Sequence, residues 1–355
     1  MTSPTQRPLT TDDVAYLVRA SFGPGTRVRE SGPLAGGGYA TVWWALLDDD
    51  RRVVLKLAPP AGTRLLRYER GLCAAEARYF RLVAEQAPQV PVPPVLHHGT
   101  DPAYGEWLVT GMLPGRSLHE LAEAGATVDD GPARYDLGAA LAALHQITGD
   151  RFGYDGDRAS GSTWRAAFTA MLDAMLADAV DWDVRLPVTA DRLRALVGRH
   201  AGVLDEVRRP ALLHFDCWDG NVLTAPGPDG RLRLCGLVDG ERFLHGDPLL
   251  DLVSPLLFRR IEDEPEHPLL RGYRRRAAGA GRRGPPPTRS LPAAAPVPAV
   301  DILHRPEGRG FPRSPDGVPV SPGRAFTAFA GRVLSALHRR FTSPPARRRE
   351  CSWRR

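Results

Sequence analysis

Short runs of apolar, strand-forming residues bounded by polar turn residues predict three short strands near the start of the chain. The runs fall at about 29–35, 40–47 and 52–57. Clusters of turn residues separate them, three glycines after the first run and three aspartates after the second. Short apolar runs bounded by such clusters are typical of hairpin strands. This region therefore predicts a small antiparallel meander.

The following segments predict a helix and one more strand. Core-type positions recur at helical spacing over about 64–87. They are Leu72, Glu76, Tyr79, Phe80 and Val83. The proline-rich run at 90–94 ends this helix, and a further strand is predicted at 106–110. That strand leads into the glycine-containing run 111–115, which we interpret as a hinge between two lobes.

From 116 to about 210 the pattern is helical, with one clear apolar stripe and a break at Pro187. The stripe consists of Leu137, Leu141 and Leu144. Two short apolar runs follow, at 212–216 and 232–239, and each ends on an aspartate. Strands followed by helices in this order predict an α+β fold with an antiparallel-sheet N-lobe and a mainly helical C-lobe.

The character of the chain changes beyond about 277. Arg, Pro, Gly and Ala dominate there, and 13 of the 34 prolines fall within 271–355. Low apolar content and high charge predict a segment that stays largely disordered. A helical apolar spacing at 323–341 is the exception, and it predicts a basic amphipathic helix. We therefore divide the chain into an N-lobe at 1–111, a C-lobe at 112–276 and a tail at 277–355.

The net charge of +6 belongs to the tail alone. Residues 271–355 hold 19 Arg against 4 acidic residues, and residues 1–270 carry a net charge of −9. The tail arginines are scattered among prolines, and Tyr273 and Trp353 are the only nearby tyrosine and tryptophan. Such a segment lacks a stacking platform, so we predict no nucleic-acid binding.

Composition indicates an ordinary soluble protein. No segment reaches the roughly 20 consecutive apolar residues of a membrane span, and the opening residues lack a basic stretch followed by an apolar run. We expect a cytoplasmic protein that does not bind membranes; its oligomeric state is left open. The four cysteines lie far apart along the chain and predict free or buried thiols. They are Cys73, Cys217, Cys235 and Cys351.

The strongest chemical signal is the loop from His214 to Asn221. It has the pattern H-x-D-x-x-x-x-N, and Asp239 follows 18 residues after the asparagine, at the end of an apolar run. Phosphoryl transfer needs a carboxylate near the attacking hydroxyl and hard oxygen ligands for Mg²⁺. This pattern supplies both, with Asp216 as the catalytic base and Asn221 and Asp239 as metal ligands.

A glycine run and a single lysine form the second signal. Gly36, Gly37 and Gly38 lie between two predicted strands, and glycines allow backbone N–H groups to approach phosphate oxygens closely. Of the 47 basic residues, 46 are Arg, and only Lys56 is Lys. A point charge of this kind suits the α- and β-phosphates of a nucleotide. Gly36, Gly38 and Lys56 are therefore candidate nucleotide-binding residues.

A glutamate on the following helix is expected to pair with Lys56. Glu69 and Glu76 are seven residues apart and share a helical face, so periodicity does not separate them. Glu76 is favoured because it lies within the apolar stripe, where an unpaired carboxylate would be costly.

These motifs resemble the aminoglycoside phosphotransferase family, which is similar to small-molecule kinases within the protein-kinase-like fold. The resemblance covers about 25–275. The matching segments are GGGYATV, VVLKL, AAEARYFRLVAE, VPVPPVL, WLVTGMLPG, LAALH, LLHFDCWDGNVL and GLVDGERFLHGDPLLDL.

The resemblance implies a bilobal kinase-like fold and a role for each motif residue. Lys56 and Glu76 would position the nucleotide, Asp216 would act as base, and Asn221 and Asp239 would hold the metal. The backbone from Thr110 to Met112 would face adenine. Three further residues, His214, Asp247 and Asp251, would support the loop without reacting.

Two departures separate this chain from protein kinases. Thr41 stands where a full glycine loop has its third glycine, and Asp239-Gly240-Glu241 stands where protein kinases have Asp-Phe-Gly. There is also no Ala-Pro-Glu segment after Asp251. The sequence therefore favours an ATP-dependent, alternatively GTP-dependent, kinase that uses Mg²⁺ and acts on a hydroxyl of a small molecule.

An aminoglycoside-like acceptor is one hypothesis. Four acidic residues of the helical lobe could attract a cationic acceptor, although a solvated helix face is the favoured interpretation. They are Asp173, Asp178, Asp181 and Asp183. A catalytically impaired binding protein of the same fold is the alternative function. We also hypothesise that residues from about 277 are an out-of-frame reading of a GC-rich gene, in which case the substrate side lacks its closing helices.

Overall fold

The computed structural model describes residues 5–34, 39–126, 128–186, 188–256 and 264–280. The expectations for the tail beyond residue 280, both its disorder and its amphipathic helix, fall outside these residues. None of the described helices is long and apolar enough to cross a membrane.

The N-lobe is a five-stranded antiparallel sheet with one helix on each face. Its elements are α1 (Thr11–Phe22), β1 (Val28–Pro33), β2 (Thr41–Leu47), β3 (Arg52–Leu57), α2 (Leu72–Gln86), β4 (Val95–Asp101) and β5 (Gly105–Gly111). The strand order is β1-β2-β3-β5-β4. The predicted meander and the strand at 106–110 are thus present, and the structure adds α1 and β4, which we did not predict.

Alternate residues of strand β3 lie on opposite faces of this sheet. Val53, Leu55 and Leu57 are fully buried and pack in a cluster with α1. The intervening Val54 and Lys56 point to the opposite face, because successive strand residues alternate. Leu108, opposite Lys56 in the ladder, packs there with α2. Lys56 therefore faces α2.

Helix α2 is shorter than predicted. It begins at Leu72, after Gly71 in the left-handed conformation (φ 65°), whereas we expected a helix from about 64. Residues 67–69 form a separate single turn of 3₁₀ helix. The left-handed glycine breaks the helical path, so Glu69 and Glu76 lie on different elements.

The C-lobe is mainly helical, with short strands inserted. Its elements are β6 (Arg116–Ser117), α3 (Leu118–Glu123), α4 (Gly131–Leu144), β7 (Phe152–Tyr154), β8 (Ser160–Gly161), α5 (Trp164–Asp181), α6 (Ala190–Arg199), α7 (Ala201–Leu204), β9 (Ala211–Leu213), β10 (Val222–Pro226), β11 (Leu232–Leu237), β12 (Leu244–Gly246) and α8 (Pro268–Ala280). The continuous helical pattern predicted for 116–210 is wrong at β6, β7 and β8. The two apolar runs that end on aspartates form β9 and β11.

Helices α4 and α8 pack backbone against backbone. A Cβ on Gly138 would lie 1.9 Å from the Leu269 carbonyl oxygen, and one on Gly272 would lie 1.9 Å from that of Tyr135. Only glycine permits this approach. The predicted boundary at 277 falls inside α8. The chain thus has the α+β, bilobal architecture that the sequence predicts.

Candidate active site

The loop that follows β9 is held in an uncommon backbone conformation. Phe215 has φ of 70°, which is unfavourable for a bulky side chain. The fully buried Asp251 carboxylate accepts the N–H groups of His214 (2.9 Å) and Phe215 (2.6 Å). These bonds to a charged acceptor fix the turn, so the next residue, Asp216, has a defined position.

Asp251 is itself tied to the last described helix. His145 Nε2 lies 3.1 Å from its carboxylate, and His145 Nδ1 lies 2.8 Å from the Tyr273 hydroxyl. Burial raises the pKa of Tyr273, so the phenol keeps its proton and can donate to Nδ1. Nε2 then carries the proton that is donated to Asp251. A continuous line of hydrogen bonds thus joins α8 to the catalytic loop.

His214 connects the same loop to the strand end before Asp239. Its Nδ1 accepts the Asp216 N–H at 3.3 Å, so Nε2 is the protonated nitrogen and donates to the Val238 carbonyl at 3.0 Å. This is the supporting contact that the resemblance implies for His214.

Asn221 closes the loop on its other side. Its Nδ2 donates to the Asp216 carbonyl at 2.8 Å, and its own carbonyl accepts the Val238 N–H at 3.1 Å. The β10–β11 pairing of Val222 with Leu237 therefore brings Asn221 beside the Val238–Asp239 strand end. Because Asn221 Nδ2 is used in this hydrogen bond, Oδ1 is the side-chain atom that can face a cation.

The Lys56 ammonium group is surrounded by three carboxylates. Its Nζ lies 2.8 Å from Glu76, 2.7 Å from Asp239 and 3.1 Å from Glu241. The structure thus settles which glutamate meets Lys56. Glu69 instead accepts the Leu66 N–H at 2.9 Å and ends the preceding turn.

Glu241 was missed by the sequence analysis, although it lies two residues after Asp239. Three carboxylates share one ammonium, which leaves a local excess of negative charge. Burial, together with Glu241 and Asp239, raises the pKa of Glu76 to about 8 against the attraction of Lys56. Burial also acts to raise the pKa of Asp239, but the attraction of the nearby Lys56 outweighs it, so the pKa of Asp239 is lowered.

The donor set fits a magnesium ion. Asp239 and Asn221 present a carboxylate and an amide oxygen at neighbouring positions, and Mg²⁺ prefers such oxygen ligands. Glu76, Asp239 and Glu241 also form a group whose oxygens lie within 4.8 Å of one another. The negative excess around Lys56 gives a divalent cation a favourable environment.

Arg242 was also missed by the sequence analysis, and it contacts Asp216. Its Nη1 lies 3.4 Å from Asp216 Oδ2, and its guanidinium lies over the Tyr68 ring at 5.6 Å. Although burial acts in the opposite direction, Tyr68, Asp216 and Glu241 raise the pKa of Arg242. A permanently charged guanidinium therefore orients the carboxylate proposed as base.

The Tyr79 ring packs against residues that adjoin the two aspartates, His214 and Gly240. It is fully buried, meets His214 edge-on with ring centres 5.4 Å apart, and leans on Phe243 at 5.5 Å. A Cβ on Gly240 would lie 2.1 Å from Tyr79 Cδ1. The ring thus occupies the space beside Gly240, the position at which protein kinases carry a phenylalanine.

The remaining predicted nucleotide residues lie at two places. Thr110 and Met112 flank Gly111 at the end of β5, where the Met112 N–H already donates to the Arg52 carbonyl at 3.0 Å. Gly111 donates to the Pro94 carbonyl at 2.9 Å. The glycine-loop residues Gly36 and Gly38 lie outside the described part of the chain.

The acidic residues of α5 are largely paired with arginine. Arg194 lies 2.8 Å from Asp173, and Arg67 contacts Asp178 and lies 2.8 Å from Asp181. Asp173 and Asp181 are exposed, as expected of a solvated helix face, whereas Asp178 is buried and also accepts the Arg67 N–H at 3.0 Å.

Comparisons with known proteins identify the family and the fold. The model of the phosphotransferase enzyme family matches residues 32–289, which extends past the boundary predicted at 277. Curated protein sequences give no significant match.

Three solved structures share the fold at low identity. A candidate fructosamine-3-kinase from Thermobifida fusca YX-ER1 is 19% identical, with 75% of this chain and 84% of that chain covered and a TM-score of 0.55. A thermostable mutant of aminoglycoside phosphotransferase APH(4)-Ia, in a ternary complex with AMP-PNP and hygromycin B, is 17% identical (93% and 99% covered, TM-score 0.51). The gentamicin complex of APH(2″)-IIa is 13% identical (95% and 98%, 0.53). These similarities show a protein-kinase-like fold.

Proposed function

Because this chain belongs to the phosphotransferase enzyme family, we propose that it transfers the γ-phosphoryl group of ATP to a hydroxyl group of a small molecule. GTP is the alternative donor. One observation carries the proposal: the Lys56 ammonium lies within 3 Å of both Glu76 and Asp239, and His214 ties the Asp216 loop to the strand that ends at Asp239. The Lys56 charge proposed to face the phosphates and the candidate base Asp216 are thus connected through the same strand end.

Each residue has a distinct role in this proposal. Lys56, oriented by Glu76, binds the α- and β-phosphates of the nucleotide. Asn221 and Asp239 hold Mg²⁺, which neutralises and aligns the phosphates when it is bound. Catalysis then depends on positioning and on charge compensation more than on covalent chemistry.

Asp216 acts on the acceptor. Its carboxylate accepts the proton of the attacking hydroxyl, and Arg242 holds the carboxylate in place from the side at 3.4 Å. The hydrogen bonds of Asp251 to the loop fix where that carboxylate lies. Arg242 and the buried Asp251 together therefore support the position of the proposed base.

The acceptor is a hydroxyl-bearing small molecule. Two of the structural neighbours are aminoglycoside phosphotransferases seen with hygromycin B or gentamicin, so aminoglycosides are the first class to test. The paired state of the α5 carboxylates gives no special support to a cationic acceptor. Sugars and amino alcohols belong in the same panel.

ATP consumption across such a panel, with the full chain and Mg²⁺, tests the proposal. Asp216→Ala is expected to lose activity by about 100-fold or more, since general-base catalysis contributes about 10²–10⁴-fold. Mg-ATP affinity, measured by calorimetry, should stay nearly unchanged, because the base acts on the acceptor. Full activity of Asp216→Ala would overturn the assignment.

Asp219→Asn is the matched control on the same loop. Its carboxylate pairs with Arg134 at 2.9–3.0 Å, so the substitution should leave activity within a few-fold of the wild type. Mg-ATP binding without ATP consumption on any acceptor would instead support the impaired binding protein.

A further inference from the structure

Three side chains with metal-binding chemistry meet at the first turn of α2, outside the proposed phosphotransfer site. They are Cys73 of α2, His98 of β4 and Glu106 of β5. One ligand atom from each, a thiol sulfur, an imidazole nitrogen and a carboxylate oxygen, lies within 4.8 Å of the other two. The wide spacing of the four cysteines predicted only a free or buried thiol at Cys73.

The sheet register brings His98 and Glu106 together. His98 pairs with Leu108, and Thr100 pairs with Glu106, so the two side chains are diagonal neighbours on the same face as Leu108. That face packs against α2. His98 Nε2 and Glu106 Oε1 lie 2.8 Å apart, which shows that both already point into a common space.

Cys73 completes the group from the helix side. It is the second residue of α2, and its Sγ lies 4.0 Å from the Lys56 carbonyl oxygen, at the sheet surface. The residue is 6% exposed, whereas the side chains of His98 and Glu106 are 24% and 25% exposed. The cluster is therefore covered on the thiol side and open to solvent on the other, which provides an entry path.

We propose that Cys73, His98 and Glu106 bind a divalent cation of the zinc class and so join the first turn of α2 to strands β4 and β5. Thiolate, imidazole and carboxylate are the ligands that zinc takes in proteins, and three of them with one open position is a common arrangement. A thiolate ligand disfavours Mg²⁺ and Ca²⁺, which require oxygen.

Charge and geometry both suit such an ion. Zn–ligand distances of about 2.0–2.3 Å place tetrahedral ligand atoms roughly 3.3–3.6 Å apart. His98 Nε2 and Glu106 Oε1, now 2.8 Å apart, would separate slightly, and the Cys73 sulfur lies within 4.8 Å of both, so side-chain rotation can bring the three atoms to these distances. As the Zn–S bond forms, the Cys73 thiol releases its proton to solvent. One thiolate, one carboxylate and a neutral imidazole around Zn²⁺ give zero net charge, so the complex can form at a partly buried position.

The ion would have a structural effect on the neighbouring site. Cys73 lies three residues before Glu76, and residues at this spacing share a helix face. A metal bridge at Cys73 therefore fixes the turn from which Glu76 reaches Lys56.

Titration of the chelator-treated full chain with Zn²⁺ and with Co²⁺ tests the proposal. We expect one equivalent of Zn²⁺ by calorimetry, a sulfur-to-cobalt charge-transfer band with Co²⁺, and a raised melting temperature with Zn²⁺. Cys73→Ser should lose the band and bind Zn²⁺ at least tenfold more weakly. His98→Gln should weaken binding in the same direction.

Cys235→Ser is the matched control. That thiol donates to the Pro114 carbonyl at 3.0 Å, away from the cluster, and its substitution should leave the band and the affinity unchanged. Circular dichroism of metal-free Cys73→Ser verifies folding. If Cys73→Ser does not fold, Glu106→Gln replaces it in the test, because the Glu106 side chain is partly exposed and its substitution disturbs the core less.

Absence of Zn²⁺ binding by the wild type overturns the proposal, as does a band that persists in Cys73→Ser. Zn²⁺ binding by the wild type without a sulfur-to-cobalt band in the Co²⁺ titration also overturns it, since the ion then lies where no thiolate binds it, as at the all-oxygen group around Asp239.

Discussion

Two groups of carboxylates in this molecule differ in how their charge is balanced. Around Lys56, three carboxylates share one ammonium group. On α5, arginine side chains pair with the acidic residues, and most of these pairs are exposed. The first group has one cation for three carboxylates and therefore attracts a further cation, whereas on α5 two arginines, Arg67 and Arg194, compensate most of the charge of three carboxylates. Residue counts along the sequence do not distinguish them, because the arginine partners come from other elements.

The largest effects are expected where the shared ammonium is removed. Lys56→Ala leaves three neighbouring carboxylates without their cation, and loss of one partner of a buried pair costs about 3–5 kcal/mol. Asp239→Ala removes the proposed metal ligand. Both should weaken Mg-ATP binding by roughly tenfold or more, since each deletes a charge facing the phosphates. Chemical denaturation and calorimetry measure the two effects.

Lys56→Arg provides the control for charge alone. A guanidinium keeps the positive charge but not the compact ammonium geometry, so stability should recover more than activity. Unchanged Mg-ATP binding in both alanine variants would refute the site.

A second, smaller loss is expected at Gly240. In Gly240→Ala the new Cβ would lie 2.1 Å from Cδ1 of the fully buried Tyr79 ring. The turn that carries Asp239 and Glu241 must shift, and overpacking of this kind costs about 1–3 kcal/mol. We expect a clear rise in the KM for ATP as the carboxylates move away from Lys56.

The double variant Gly240→Ala/Tyr79→Leu separates this clash from other causes. The smaller side chain makes room for the Cβ, so the KM should return part of the way toward the wild-type value. If the KM of the double variant rises by the combined effect of the two single substitutions, the packing explanation is contradicted.

Glu241→Gln tests the excess of negative charge directly. Loss of one carboxylate relieves repulsion, so the metal-free protein should become more stable by up to about 1 kcal/mol while needing several-fold more Mg²⁺. Glu241 is also one cause of the raised pKa of Glu76. The folded-state pKa is about 8, against an ordinary value of 4.5, so the folded protein holds the extra proton between these values.

The sign of the pH dependence follows from this difference. This group's contribution to wild-type stability should fall as the pH rises from about 4.5 to 8, because the folded state binds more protons there. In Glu241→Gln the fall should end at a lower pH and should therefore be smaller in total. Denaturation curves at several pH values measure it, and a fall that ends at the same pH in both proteins would contradict the shared-charge description.

The smallest effects are expected on α5. Arg194→Ala breaks an exposed pair with Asp173, and such pairs contribute about 0–1 kcal/mol. Asp181→Asn should behave alike, with activity unchanged. A marked rise in the KM for a cationic acceptor in Asp181→Asn would instead show that the α5 face binds the acceptor.

Much of the fold could be predicted where the pattern is local. The alternation in 52–57 identified β3, and the leucine stripe identified α4. Helix α1 had a signal that we overlooked, because Thr10 and Asp13 form a capping box ahead of its apolar face. Strand β4 had almost no sequence signal, since its His98-Gly99-Thr100 segment lacks apolar alternation. In the described part of the sheet it is an edge strand and pairs with β5 alone.

The candidate site shows the same division. Lys56, Asp216 and Asp239 could be predicted because their chemistry and spacing are distinctive; their roles stay predictions. Glu241 was not predicted as a site residue. The protein-kinase pattern has glycine at this position, so Glu241 was recorded as a departure from that pattern and its negative charge was not considered. The left-handed Phe215 could not be predicted, since long-range bonds from Asp251 stabilise it.

The end of the chain keeps one open prediction. The family match runs to residue 289 and helix α8 to Ala280, so both pass the boundary predicted at 277. The out-of-frame hypothesis for residues from about 277 stays a prediction, and translation of the gene's other frames would test it.

The line from Tyr273 through His145 to Asp251 has a consequence for the order of synthesis. The ribosome completes the Asp216 loop well before it adds α8, which supplies the last partner in that line. A nascent chain that stops short of α8 thus holds every proposed reactive residue but lacks the outermost support of the loop. Competence for catalysis should accordingly appear late, when Tyr273 has emerged and docked, and not when the catalytic motif itself is made.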